Sequence, residues 1–330
     1  MKAIVCRRPG KPDVLELEEI ERPAIPDDGV LVRIQASSVN PADFFQLSRV
    51  GQVFRLVSNR FQRTPIVMGG DFAGTVESVG GGVTQFRAGD QVFGAKQGAF
   101  ADYLVVPESG PFVRKPAAVS LEQAAAVPVA GLTALQALRD HGRVTPGQKV
   151  LVNGASGGVG TFAVQLAKYL GADVTAVCST RNIEQTRSLG ADKVIDYTRE
   201  DFTLIGERYD LLIDIAGSRS WSECTRVLRQ NGTFVVVGAS SHTVNGASET
   251  LKHIAGLRLA SMRGGRKMVF FIAKPNKPDL ALLGDLLEQG TIRSIVDRRY
   301  EREQVPEAMG YLAEGHARGK IVITIGSLTT

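Results

Sequence analysis

Cysteine, histidine and tryptophan are scarce in this 330-residue sequence, which contains three, four and one of them respectively. Cys6, Cys178 and Cys224 lie far apart and form no CxxC pair, so they cannot build a four-cysteine zinc lobe. Scattered cysteines are typical of free thiols in a reducing compartment. Their number and spacing exclude a small secreted fold held together by disulfides.

The sequence also lacks a long apolar run, an internal repeat and a strong charge of either sign. No stretch approaches the roughly 20 consecutive apolar residues of a membrane-spanning helix, and the opening MKAIVCRRPG has no apolar signal core. The net charge is only +5. The basic segment 258–277 carries no nucleic-acid motif, so we interpret it as a solvated or anion-attracting surface. We expect a cytoplasmic protein without a nucleic-acid partner.

Strand-like segments dominate residues 1–120, where turn clusters such as Gly80-Gly81-Gly82 separate short apolar or alternating runs. From Leu121 onward, helix-like and strand-like segments alternate, and VLVNG, VTAVC, LLIDI and FVVVG are almost entirely apolar, as in strands covered on both faces. This pattern predicts an α/β protein with a Rossmann doubly wound parallel sheet and a β-rich domain. We place the Rossmann domain at 124–266 and the β-rich domain at 1–123 with 267–330. KMVFFIA, near residue 267, is a candidate edge strand.

A glycine-rich turn, GASGGVG at 154–160, lies between an apolar strand and an apolar-periodic helix. A dinucleotide pyrophosphate must approach the N–H groups of a helix N-terminus closely, and side chains there block it. Gly157 permits that approach, and Gly160 lets the helix pack on the sheet. Ala155 stands where the fingerprint usually has its first glycine, but the flanking strand, helix and following βαβ unit favour a dinucleotide site over a merely tight turn.

The end of the second strand of this unit indicates which dinucleotide is bound. An acidic residue there binds the ribose 2′-OH and repels a 2′-phosphate. This sequence has Ser179, Thr180 and Arg181, with no acidic residue before Glu184. A hydroxyl and a guanidinium suit a phosphate, so the pattern predicts NADPH; the alternative is an arginine exposed at a helix start.

Four segments carry a resemblance that extends over essentially the whole chain: SVNPAD at 38–43, PVAGLTA at 128–134, the 154–160 turn, and GKIVI at 319–323. With these motifs in this order, the chain resembles the medium-chain dehydrogenase/reductase superfamily, specifically its zinc-free quinone oxidoreductases of the reticulon-4-interacting-protein type. The resemblance implies that the β-rich domain is GroES-like and catalytic, that the protein is a homodimer, and that it reduces an apolar small-molecule acceptor with NADPH.

The zinc enzymes of this superfamily allow each metal-ligand position to be checked. Asn40 replaces their first cysteine, Gly70 replaces their histidine, and an apolar residue, which we take to be Val129, replaces the second cysteine. The structural zinc lobe expected after Gly94 is also missing. Because a tetrahedral site needs three or four converging ligands, the sequence predicts no zinc.

The resemblance also implies individual site residues. Ser156, Gly158 and Val159 contact the pyrophosphate beside Gly157, whereas Ser179 and Tyr197, with Arg181 nearby, hold the 2′-phosphate. Asn40 and Thr133 flank the nicotinamide and position the substrate. The remaining cofactor positions are Gly238, Ser240 and Lys320. In the family of this resemblance a lysine is common where this chain has Asn182.

Each of these assignments has a structural alternative. Asn40 precedes a proline and could be a turn residue, and Thr133 could bond its own helix backbone. Tyr197 could be a packed strand aromatic, and Lys320 a surface lysine. The apolar segment 44–61 could be a helix that covers the core or a hydrophobic lid over an apolar acceptor.

Without a metal to polarise a carbonyl, hydride transfer needs an acceptor that itself spreads negative charge, as a quinone or an enone does. The sequence therefore predicts a zinc-independent NADPH oxidoreductase acting on quinones or other activated carbonyl or enone acceptors. No general acid is evident; His242 is the best histidine candidate. Two alternatives stay open: an NADPH-binding protein with little turnover, and an enoyl-thioester reductase, which is disfavoured because 54–65 lacks tyrosine.

Overall fold

The computed structural model describes residues 1–48, 65–237, 255–256, 261 and 266–326. The chain divides into two compact units. The first comprises 1–132, 275–316 and 320–330, and the second comprises 133–274 and 317–319. Each unit has its own sheet or sheets, as the alternation of segment types in the sequence predicts.

The first unit contains a three-stranded sheet, with strand order β2-β1-β4, and a seven-stranded sheet. The order of the larger sheet is β15-β16-β3-β5-β6-β8, with β7 paired to β3. The strands are β1 (Lys2–Cys6), β2 (Leu15–Glu19), β3 (Gly29–Val39), β4 (Ile66–Val67), β5 (Asp71–Val79), β6 (Gln91–Ala95), β7 (Tyr103–Pro107), β8 (Phe112–Arg114), β15 (Val296–Glu301) and β16 (Lys320–Thr324).

The helices assigned to the first unit cover its sheets or connect it to the second unit. They are α1 (Pro41–Leu47), α2 (Leu121–Ala125), the first part of α3 (Pro128–Gln136), α7 (Lys277–Glu288) and α8 (Val305–Ala313). Ser120 caps α2 by accepting a hydrogen bond from the Gln123 N–H, and α3 begins at Pro128. Proline is tolerated in the first turn of a helix but not in its interior, which explains why a new helix begins at this residue.

The second unit is a six-stranded sheet of order β11-β10-β9-β12-β13-β14. All of its strand pairs are parallel. The strands are β9 (Lys149–Asn153), β10 (Asp173–Cys178), β11 (Lys193–Asp196), β12 (Tyr209–Asp214), β13 (Leu228–Val237) and β14 (Lys267–Phe271); the helices are α4 (Gly158–Tyr169), α5 (Ile183–Ser188) and α6 (Trp221–Arg226). This order is that of the doubly wound dinucleotide-binding fold. The predicted α/β class, with a doubly wound parallel sheet and a β-rich domain, is confirmed.

The sequence pattern and the structure differ slightly in where the units divide. The expected boundaries were 123/124 and 266/267. Helix α2 packs against β3 and β5 of the first unit, whereas β14 pairs with β13 in the second unit's sheet. The residues between Lys267 and Lys274 therefore group with the Rossmann sheet, and KMVFFIA provides its edge strand.

Candidate active site

The glycine-rich turn connects β9 to α4 in the second unit. Gly154 has a positive φ of 89°, which favours glycine. A Cβ at Gly160 would lie 2.1 Å from the Gly154 carbonyl oxygen, so only glycine allows this close packing. The nearest atom to a Cβ at Gly157 is 3.7 Å away. Protein packing therefore does not exclude a side chain at Gly157; its absence keeps the N-terminus of α4 open, as an approaching pyrophosphate requires.

A buried amide joins this turn to the end of β10. Asn182 Nδ2 donates hydrogen bonds to Ser156 Oγ at 3.0 Å and to Ser179 Oγ at 3.1 Å. Asn182 is only 4% exposed, whereas both serines are half-buried. Two hydroxyls predicted to contact different parts of the cofactor are therefore held by a single side chain.

Asp196 is the carboxylate at the end of β11, the strand next to β10, and its contacts are local. Asp196, the last residue of β11, accepts hydrogen bonds from the Thr180 and Thr198 hydroxyls and from the Thr198 N–H. Arg199 lies 3.4 Å from its Oδ2. These contacts, led by the Thr180 hydrogen bond, hold the pKa of Asp196 below its usual value. The Asp196 carboxylate is therefore engaged by neighbouring residues of the protein, which disfavours its use as an acceptor for a ribose hydroxyl.

Tyr197 and Arg181 lie at the same edge of the sheet. Tyr197 is 54% exposed, so it is not a packed strand aromatic. Arg181 is exposed at the start of a short 3₁₀ turn. Sequence reasoning missed Arg318, whose Nη2 donates to the Arg181 carbonyl oxygen at 3.2 Å. Segment 317–319 groups with the second unit, so a second guanidinium lies near the predicted phosphate-binding residues.

In the first unit, Asp71 is the centre of a buried polar cluster. Its Oδ2 accepts hydrogen bonds from Ser38 Oγ at 2.6 Å and Asn40 Nδ2 at 2.8 Å, and lies 3.4 Å from Lys320 Nζ. Its Oδ1 accepts from the Val129 N–H at 2.8 Å. Asp71 is fully buried, so these donors compensate for the desolvation of its charge. The cluster, which we call the Asp71 cluster, comprises Ser38, Asn40, Asp71, Val129 and Lys320.

The Asn40 amide and the Lys320 ammonium donate hydrogen bonds to side-chain oxygens of this cluster and to carbonyl oxygens near the end of β3. The Lys320 ammonium lies 2.5 Å from Asn40 Oδ1 and 3.3 Å from the Val39 carbonyl oxygen, in addition to its contact with Asp71. Asn40 Nδ2 donates both to Asp71 and to the Ser38 carbonyl oxygen. Each residue is 3% exposed. Lys320 is therefore not a surface lysine, and the orientation of the Asn40 amide is determined by charged neighbours on both sides.

Asp43 adds a second buried carboxyl beside Asn40, from the first turn of α1. Its Oδ2 accepts a hydrogen bond from the Asn40 backbone N–H at 2.8 Å. Burial raises the pKa of Asp43 to about 7; the hydrogen bond from Asn40 opposes the shift, and the nearby Asp71 charge increases it. The sequence contained no sign of this perturbation beyond an aspartate after Asn40-Pro41.

The structure brings the positions that correspond to zinc ligands near one another. Asn40 and the Val129 N–H both contact Asp71, and a Cβ at Gly70 would lie 3.9 Å from the Val129 side chain. The donor chemistry does not fit zinc, because these positions offer an amide, no side chain and a hydrocarbon, and an ammonium ion lies alongside. Among the described residues, no group of three or more potential ligands could hold a metal ion.

The other predicted residues lie on the expected elements, where those are described. Gly158 and Val159 form the first turn of α4, and Thr133 is half-buried on α3. Gly238 and Ser240 lie outside the described residues, as do His242 and most of the apolar segment 44–61. The described part of that segment belongs to α1, in which Phe44 and Leu47 are buried.

Across the described residues, no helix is both long enough and apolar enough to cross a membrane.

The His141 ring packs against Phe271 in a tilted arrangement, with ring centroids 4.1 Å apart, and burial lowers the pKa of His141. That histidine is a packing residue on the sheet edge, which leaves the identity of a general acid open.

Comparison with known proteins places this architecture in a family. A family model described as an alcohol dehydrogenase GroES-like domain matches residues 26–117, and one described as a zinc-binding dehydrogenase matches residues 189–323. The chain is 32% identical to the chloroplast envelope quinone oxidoreductase homolog of Arabidopsis thaliana, with 94% of this chain and 93% of that protein covered. It is 33% identical to the mitochondrial NAD(P)H oxidoreductase RTN4IP1 of Mus musculus, over 98% of this chain and 89% of that protein.

A solved structure of a quinone oxidoreductase has the same fold. The structure of Escherichia coli quinone oxidoreductase complexed with NADPH superimposes with a TM-score of 0.82, at 26% identity and with 98% of this chain and 100% of that chain covered. Similarity of sequence and fold thus extends over nearly the whole chain. The chain belongs to the medium-chain dehydrogenase/reductase superfamily, among its quinone oxidoreductases, and is an oxidoreductase that uses a nicotinamide cofactor.

Proposed function

We propose that this protein is a zinc-independent reductase that transfers a hydride from NADPH to quinones or other activated carbonyl or enone acceptors. The observation that carries the cofactor assignment is the end of β10, where Ser179 and Arg181 stand in place of an acidic residue. The nearby Asp196 is held by Thr180 and Thr198. Neutral and cationic donors at this edge favour a 2′-phosphate over a bare ribose hydroxyl.

The residues that we assign to NADPH form two groups. In the second unit, Ser156, Gly157, Gly158 and Val159 hold the pyrophosphate, and Ser179, Arg181, Tyr197 and the additional Arg318 hold the 2′-phosphate. We assign Asn40 and Thr133 to positioning of the nicotinamide and substrate, with Lys320, Gly238 and Ser240 completing the set. NADPH, when bound, supplies the hydride.

The acceptor class follows from the chemistry of the Asp71 cluster. The positions that correspond to zinc ligands, Asn40 and Val129 in this cluster and Gly70 beside it, could not hold a Lewis acid against a carbonyl oxygen, so an unactivated ketone is a poor acceptor. A quinone or an enone delocalises the negative charge that the hydride brings, and water can provide the accompanying proton. The names of the relatives, two of which are quinone oxidoreductases, support the same class.

The test is NADPH oxidation by the purified chain with a panel of quinones, enones and unactivated ketones. We expect oxidation that depends on the quinone or enone, is slower with NADH, and is negligible with simple ketones. Acceptor-dependent turnover of simple alcohols or ketones at comparable rates would contradict the acceptor class. Equal dissociation constants for NADPH and NADH would contradict the cofactor assignment separately.

A further inference from the structure

The side chain of Asn182, the residue after Arg181, is buried rather than extended toward solvent. It is the last residue of the 3₁₀ turn Thr180–Asn182, which Ser179 precedes, and its amide lies between the Ser156 and Ser179 hydroxyls. Both amide hydrogens are used in these two bonds. Asn182 Oδ1 is also buried and accepts no hydrogen bond among the described residues.

This arrangement determines where the serine hydrogens can point. A hydroxyl group carries one hydrogen and two acceptor lone pairs. Because Asn182 Nδ2 donates to each serine oxygen, and Asn182 Oδ1 accepts from neither, the two hydroxyl hydrogens are not taken up by the amide. They remain available to an acceptor on the open side of the turn, where each serine is partly exposed.

We propose that Asn182 is a positioning residue that presents the Ser156 and Ser179 hydroxyls together as donors to the phosphates of NADPH. Ser156 serves the pyrophosphate and Ser179 the 2′-phosphate, so one buried amide aligns both ends of the adenosine half of the cofactor. This inference rests on the proposed NADPH preference and deepens it.

Loss of alignment at Ser156 and at Ser179 should affect the binding of NADPH and NADH differently. NADH and NADPH share the pyrophosphate, so loss of alignment at Ser156 weakens both. Only NADPH has the 2′-phosphate, so loss of alignment at Ser179 weakens NADPH alone. Removing the Asn182 amide should therefore lower the affinity for NADPH more than that for NADH.

The first experiment measures dissociation constants for both cofactors by calorimetry. In Asn182→Leu, which has similar volume and no hydrogen bonds, we expect the NADPH constant to rise about tenfold, the loss of one hydrogen bond to a charged group, and the NADH constant to rise less. Asn182→Asp should have a larger effect, because a carboxylate can only accept the serine hydrogens and repels phosphate. The matched control is Gln165→Leu, which removes another buried amide from the same unit and should leave the NADPH-to-NADH ratio unchanged.

A second experiment separates positioning from a general structural effect. In a Ser179→Ala background, Asn182→Leu should change the NADPH-to-NADH ratio no further, because the hydroxyl through which it acts is gone. An unchanged NADPH-to-NADH ratio of dissociation constants for Asn182→Leu in the parent protein, or an equal rise of that ratio with and without Ser179, would overturn the role of Asn182 alone. Equal NADPH and NADH constants in the parent protein would instead overturn the proposed cofactor preference, and this role with it.

Discussion

At the scale of single residues, Ser179 has the most direct influence on cofactor choice. We expect Ser179→Asp to reverse the preference, because the new carboxylate repels a 2′-phosphate and offers an acceptor to a ribose hydroxyl. The measurement is the pair of dissociation constants for NADPH and NADH. Ser188→Asp, which adds the same charge at an exposed position near the end of α5, is the control and should keep the original order. A Ser179→Asp variant that still prefers NADPH would contradict the assignment.

Arg181 contributes charge rather than alignment. A hydrogen bond to a charged group is worth about 1.5–3 kcal/mol, and exposure to solvent lowers that value, so we expect an NADPH preference of roughly tenfold or more, to which Arg181 contributes with Ser179 and Tyr197. Arg181→Ala should weaken NADPH and leave NADH nearly unchanged. Arg187→Ala, which removes an exposed arginine paired with Glu184 on the same helix, is the control. Unaltered NADPH binding in Arg181→Ala would shift the role to Ser179, Tyr197 and Arg318.

Asp43 should lower the stability of the protein as the pH rises, the opposite of the usual effect of a carboxyl group. Its pKa rises from 3.8 to about 7 on burial, so the folded state binds more protons than the unfolded state between these values. The contribution of Asp43 is therefore fully present below about pH 4 and is lost as the pH rises to about 7. We expect Asp43→Asn to gain stability relative to the parent over this interval, by at most about 1.4 kcal/mol per pH unit.

The measurement for Asp43 is urea denaturation of both proteins between about pH 5 and 8. Only the difference between them reports on this residue, because other carboxyls, such as Asp196 and Asp201, have lowered pKa values and act in the opposite direction. A difference that stays constant across the whole range would show that Asp43 titrates normally.

Local sequence was sufficient to predict some of these residues but not others. Ser179 and Arg181 could be predicted because they directly follow a strand in a recognisable βαβ unit. The contact between Asn182 and Ser156 depends on β9 and β10 lying side by side, and Arg318 approaches from a segment 137 positions away from Arg181. No local pattern carries information of that kind.

At the scale of secondary structure elements, hydrophobic pattern and helix-breaking residues were informative. The apolar runs of β9, β10, β12 and β13 predicted a parallel sheet covered on both faces, and that is confirmed. The π-helical segment Ala137–Gly142, which ends at Arg143 with a φ of 52°, was not predicted. Its residues have ordinary helical periodicity, and a change from α to π hydrogen bonding leaves little trace in the apolar pattern.

Strand β14 raises the question of an oligomer, because it is the last strand in the order of the second unit's sheet. Phe270 is 40% exposed and Ile272 is 79% exposed, and an apolar sheet edge favours pairing with another chain. We expect a homodimer formed through β14. Phe270→Lys with Ile272→Lys should shift the protein to a monomer at micromolar concentration, as measured by sedimentation velocity.

The control for the edge strand is Leu204→Lys, which replaces another exposed apolar residue (68%) in the loop after β11, the opposite edge strand. It should leave the sedimentation coefficient unchanged. A parent protein that sediments as a monomer would contradict the dimer, and a double variant that remains dimeric would place the interface elsewhere.

At the scale of the whole molecule, the Asp71 cluster contains contacts that the sequence alone does not predict. Asn40 and Lys320 were predicted separately as cofactor residues from resemblance. Their contact joins positions 40 and 320, and Asp71 at its centre was not identified as a functional residue. Antiparallel pairing of β16 with β3 brings these distant segments together, and this pairing could be recognised only from the fold.

The same cluster leads to a prediction about metal dependence. One matched family model is described as a zinc-binding dehydrogenase, but Asn40, Gly70 and Val129 cannot form a tetrahedral set, and Lys320 places a positive charge beside Asp71. A structural zinc contributes about 10–16 kcal/mol in small zinc domains, so its removal would lower the melting temperature sharply. We expect dialysis against a strong chelator to change neither the melting temperature nor the rate of quinone-dependent NADPH oxidation, and elemental analysis to find no stoichiometric zinc. One zinc per chain, with activity lost on chelation and restored by zinc alone, would contradict this prediction. It would also require ligands outside the Asp71 cluster.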